Sequence, residues 1–98
     1  FELAQGLASR ILREGPDDDS GRLLYAFRVS LSREPNDEEF AVLTKFLEQQ
    51  RKRYRAAEKE AAHVAPADRP VTVDVAEAAA WTTVARVMLN LDEFITRE

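Results

Sequence analysis

Few residues here could do chemistry, and their spacing limits what each could do. Asp17-Asp18-Asp19-Ser20-Gly21 is an oxygen-rich turn of the kind that binds calcium. An EF-hand loop needs oxygens at alternate places, Gly at the sixth and Glu at the twelfth. Counted from Asp17, those places hold Arg22 and Arg28, so the pattern fails. The acids suit the start of a helix instead, as N-cap oxygens and as charge facing the positive end of its dipole.

Arg51-Lys52-Arg53-Tyr54-Arg55 has the composition of a phosphate-binding patch. Inside a helix, however, its members point in different directions. Glu48 precedes Lys52 by four residues in the favourable order, and Glu58 and Glu60 follow, so a solvated, self-paired face is expected. His63 is the sole His, and with no Cys in the chain it has no second imidazole or thiolate to complete a metal site. Ser9, Ser20, Ser30 and Ser32 share that one His and lie on no nucleophile elbow. Gly6, Gly15 and Gly21 make no phosphate loop. Asp92-Glu93 are adjacent on a helix and diverge by about 100°, which is wrong for a shared proton. No catalytic, metal or cofactor-binding residue is therefore assigned, and no cofactor is expected.

Two residues stand out by position. Trp81 lies on an apolar helical arc beside Val84, Ala85 and Met88, where an indole anchors a core. Asp92 falls on the same arc between Trp81 and Ala85, and a carboxylate there needs donors. The candidate partners are Arg22 and Arg33, on one edge of the second helix, whose guanidinium forks match a carboxylate, and backbone N–H groups at a helix start. A structural acceptor is favoured over a catalytic acid or base, since no partner His or metal ligand is in view.

The elements that must hold these residues are helical. Leu3, Ala4, Leu7, Ala8, Ile11 and Leu12 recur at helical spacing, and Gly15-Pro16 ends that run with a left-handed cap. A second helix carries Leu23, Leu24, Ala26, Phe27, Val29 and Leu31 up to Pro35. Asn36 with Glu39 reads as a near capping box for a third. Its Phe40, Leu43, Leu47, Gln50, Tyr54, Ala57 and Ala61 alternate at three and four residues, so it should be long and face a near-antiparallel partner. Asp37 to His63 would span about 40 Å. Residues 64–73 hold Pro66 and Pro70 and form the linker. Asp74 caps a final helix whose apolar arc exceeds half its circumference, which makes it the central element.

The spacing thus predicts an all-α domain over residues 1–98. It is four-helix and bundle-like, with helices near 2–14, 20–33, 37–63 and 74–97, the last two forming a long antiparallel hairpin. Small side chains at Ala57, Ala61, Ala76, Ala79 and Ala80 would let those two backbones approach closely. A chain of 98 residues supports one domain. Fourteen Lys and Arg against eighteen Asp and Glu, net −4, argue against a nucleic-acid surface. No apolar run reaches the roughly 18 residues of a membrane span. The chain starts at Phe1 inside a helical pattern, which suggests a fragment of a larger protein. Apolar surface around Phe1, Leu3 and the flank of the last helix would then contact neighbouring domains or drive self-association.

Two stretches carry a resemblance: Arg33-Glu34-Pro35-Asn36-Asp37-Glu38-Glu39, and the run Ala80-Trp81-Thr82-Thr83-Val84-Ala85-Arg86-Val87-Met88-Leu89-Asn90-Leu91-Asp92-Glu93-Phe94. Together they resemble the C-terminal part of a planctomycete-specific domain of unknown function, found in exported multidomain proteins beside cytochrome-c-like domains. In that family an Arg-x-Pro turn and acidic helix start precede a Trp-containing closing helix ending in Asn-Leu-Asn/Asp-Glu-Phe. The closing helix is the more specific of the two motifs. The resemblance implies export and a haem held by another domain, since Cys-x-x-Cys-His is absent. Within that context, the lack of any complete chemical constellation favours a non-catalytic helical module for packing or assembly. The alternative is a segment completing the wall of an enzyme whose catalytic residues lie upstream, in extracellular polymer breakdown.

Overall fold

The computed structural model describes the backbone of residues 2–96 and the side chains of residues 3–91. Within them every regular element is a helix: α1 (Glu2–Glu14), α2 (Asp19–Leu31), α3 (Asp37–Ala56), α4 (Glu58–Val64) and α5 (Val75–Thr96). The all-α expectation holds. The helix count does not, because the expected third helix is two. Ala57, at φ −136° and ψ 67°, interrupts it and donates its N–H to the Tyr54 carbonyl at 3.2 Å. Alanine has no local reason to break a helix, so tertiary packing sets the break. The short α4 beyond it seats Ala61, fully buried, against α5.

Local chemistry explains the other boundaries. Asp18 caps α2 through the Gly21 N–H at 2.9 Å. That helix stops at Ser32, left-handed at φ 57°, three residues before the Pro35 expected to close it. Asn36 and Glu39 form a full reciprocal capping box on α3. Asp74 accepts from the Glu77 N–H at 2.7 Å at the start of α5. Gly15 differs from expectation, since its φ is not positive. Its missing side chain serves a close approach instead: a Cβ there would lie 2.7 Å from the Ile11 carbonyl oxygen.

α5 touches all four other helices. Ala78, Ala79, Ala80, Trp81, Val84, Ala85 and Met88 on it are fully buried, together with Ile11 and Ala8 from α1, Phe27 from α2 and Leu47 from α3. This wide apolar arc matches a helix packed on several sides. Side-chain bonds add cross-links at the flanks. Tyr54 Oη and Thr83 Oγ1 meet at 3.0 Å between α3 and α5, and Gln5 Nε2 donates to the Val64 carbonyl at 3.0 Å between α1 and α4.

Candidate functional site

The densest polar cluster gathers where the start of α2, the middle of α3 and the first turn of α5 converge. Its centre is Arg51, whose side chain is 11% exposed. Nε and Nη2 each donate to one Glu77 oxygen at 2.7 Å, a two-bond fork. Nη2 and Nη1 also reach the two Asp19 oxygens at 2.9 and 3.2 Å, and Nη1 donates to Glu48 at 2.6 Å. Glu77 is itself a hub. It accepts from the Trp81 indole at 3.0 Å and lies 4.0 Å from Arg22. Arg22 Nε donates to the Pro16 carbonyl at 3.0 Å and so fastens the α1–α2 turn.

The Glu77 bonds, and after them those of Asp19, outweigh the burial of the Arg51 guanidinium and push its pKa further above an already high value. In turn, each of these carboxylates is bonded to the permanent cation of Arg51. No group of three His, Asp or Glu among the described residues could hold a metal ion. The cluster joins α2, α3 and α5 at one point. Its chemistry is structural.

The residues singled out by sequence fall at separate places. Trp81 is fully buried in the core, with its N–H on Glu77. Arg22 is in the cluster just described. Arg33 lies elsewhere, bonded to both Glu39 oxygens at 2.8 Å and stacked 5.3 Å from the Phe27 ring centre. Asp92 belongs to α5, but its side chain, like that of Phe1, lies outside the described residues. The expected Arg22–Asp92 or Arg33–Asp92 bridge therefore has no described partner at the Asp92 end, and both arginines are engaged with other oxygens. Ser9 Oγ and Ser30 Oγ are buried without a hydrogen-bond partner, so no base activates either, and His63 is exposed on α4.

Sequence reading missed Arg51 and the second role of Glu77. Arg51 was hidden in a run of five residues expected to pair along the helix surface. The expected Glu48–Lys52 pair is not formed; Glu48 binds Arg51 instead. The surviving signal was azimuth, because Arg51 lies four residues after Leu47 and three before Tyr54, on the edge of the core-facing series.

A second feature is a surface cleft of about 280 Å³ between the start of α3 and the last described turns of α5. Val42, Leu43, Val87 and Leu91 form its apolar lining, and Asn36, Glu38 and Glu39 its polar rim. Val42 is 60% exposed. Comparison with protein-family models, curated proteins and solved structures found no match.

Proposed function

We propose that this chain is a non-catalytic helical module that packs against other domains of a larger exported protein. The apolar cleft between α3 and α5 carries this reading. It presents Val42, Val87 and Leu91 to solvent beside a polar rim, the makeup of a contact surface with an apolar centre. The interior charges, by contrast, are committed to holding helices together. Resemblance to the planctomycete-specific domain supports the multidomain, exported setting. The bundle is read as four-helix-like, with α3–α4 and α5 as a long antiparallel hairpin. In support, the start of α3 and the end of α5 line one cleft, and both α3 and α4 pack on α5.

Val42→Asp tests the reading by placing a charge in the cleft while touching no buried group. Trans-binding of the chain to the remainder of its parent polypeptide should weaken by about tenfold or more, a loss of about 1.4 kcal/mol. The melting temperature should stay nearly unchanged. Equal binding by wild type and variant would overturn the assignment of the cleft. Loss of turnover by a remainder that stays folded without this segment would replace the packing role with the active-site-wall alternative.

A further inference from the structure

Residues 45–63 contain six Lys and Arg against three Glu, while the rest of the chain contains eight against fifteen acids. Positive charge is therefore concentrated on the later part of α3 and on α4, beyond the acidic first turn Asp37-Glu38-Glu39, in a chain that is negative elsewhere. The observed pairing sharpens that asymmetry. Glu48 turns its carboxylate to the half-buried Arg51, and Glu60 pairs with Arg53. Lys45, Lys52, Arg55 and Lys59 are exposed, and their side chains make no ion pair or hydrogen bond among the described residues.

Geometry aligns two of these four cations. Lys45 and Lys52 are seven residues apart, which on an α-helix is a drift of only about 20° and a rise of about 10 Å. Arg55 follows nearly one turn later. Lys45 and Lys52 stand on the side of α3 opposite buried Leu43, Leu47 and Tyr54, and Arg55 stands on its flank, about 60° away from Lys52. Lys59, beyond the break at Ala57, sits two residues before buried Ala61 and so points away from the α5 contact.

We propose that this outer face of α3 and α4 docks an acidic polypeptide segment, a helix laid along α3 with carboxylates recurring at heptad spacing. The spacing of Lys45 and Lys52 suits such a partner, as flanking charges do between paired helices. Nucleic acid fits less well. No exposed aromatic stands on the face to stack a base, because Tyr54 is buried and bonded to Thr83. The acids elsewhere on the chain would also repel an extended polyanion. A membrane surface requires apolar side chains to insert, yet the exposed large apolar residues, Leu3, Val42 and Val71, all lie outside residues 45–63. This surface is separate from the apolar cleft and does not depend on it.

The test uses the 98-residue chain and a labelled helical peptide of about three heptads, built of Ala and Gln with Glu at heptad spacing. Anisotropy titrations are run at about 0.05 M and about 0.5 M salt. Parallel arms use a DNA duplex of equal charge and vesicles containing phosphatidylserine. Peptide binding should occur at low salt and weaken at high salt. Lys45→Glu/Lys52→Glu should reduce it by about tenfold or more, whereas Arg13→Glu/Arg28→Glu, with the same net charge, should reduce it by less than about threefold. Lys45→Gln/Lys52→Gln should give an intermediate loss. Val42→Ser, which removes apolar surface from the cleft without adding charge beside Lys45, should have no effect, which separates this surface from the cleft. Absence of peptide binding at low salt, equal losses in the two reversal variants, or tighter binding to DNA or vesicles would each overturn the proposal.

Discussion

Removing the Arg51 guanidinium leaves Glu77, whose side chain is 18% exposed, facing Asp19 and Glu48 with only Arg22 at 4.0 Å to compensate. Breaking one side of a fully buried pair costs about 3–5 kcal/mol. Here water reaches the Asp19 and Glu48 side, which lowers the expected cost of Arg51→Met to about 2–3 kcal/mol. Glu77→Gln keeps the shape and an acceptor for Trp81, so it should cost less, about 1–2 kcal/mol. Lys52→Met, one residue along and solvent-facing, should change stability by no more than about 0.5 kcal/mol. Urea titrations followed by the fluorescence of Trp81, the sole Trp, measure all three. Equal midpoints for the Arg51 and Lys52 variants would show that the cluster fastens nothing. Sequence separates these neighbours poorly. A helical wheel assigns azimuth, but long charged side chains can lie along the surface and bring their heads inward from a flank. Short, rigid Trp81 is placed well by the same wheel, because its bulk has nowhere else to go.

Element boundaries were legible where a side chain bonds its own backbone, and illegible where a distant contact decides. Asp18, Asn36 and Asp74 are caps that can be read locally, and each accepts the expected backbone N–H. The break at Ala57 has no local mark, since the surrounding Arg55, Ala56 and Glu58 all favour helix. Beyond it α4 packs on α5 with Ala61 buried, a contact made far along the chain. Capping also gives the start of α3 a defined acid response. The Arg33 fork, followed by the Asn36 N–H, lowers the Glu39 carboxyl pKa from 4.5 to about 2. A lowered pKa in the folded state means the contribution is complete above the unfolded value near 4.5. It is then lost as pH falls toward about 2. Wild type should therefore melt higher than Glu39→Gln at pH near 6, with the gap closing between about pH 4.5 and 2. A gap that stays constant across that window would mean the fork does not hold the carboxylate ionised. Solvent exposure of the pair keeps the effect small in absolute terms.

At the scale of the whole chain, the radius of gyration of 12.6 Å equals that expected for a compact domain of this length. A single helix organises that compactness. α5 touches each other element, whereas α4 has only seven residues, no side-chain cap, and Ala61 as its one buried side chain. Stability should be distributed accordingly, because segments with few buried apolar contacts open locally before the domain unfolds. Amides of residues 78–88 should exchange with solvent only through global unfolding. Amides of α4 should exchange at least about a hundredfold faster, through an opening that hinges at Ala57 and leaves the α1–α2–α5 core closed. Denaturant should accelerate exchange in α5 strongly and in α4 weakly, since the local opening exposes little surface. Equal protection of α4 and α5 with equal denaturant dependence would make Ala57 a bend inside one cooperative unit. The distinction bears on the cationic face. Lys59 rides on α4, while Lys45 and Lys52 ride on the firmer α3, so a partner that engages all three must restrain the hinge. Binding of the acidic helix should then slow exchange in α4 more than in α3, linking the surface charge to the one break the packing imposes.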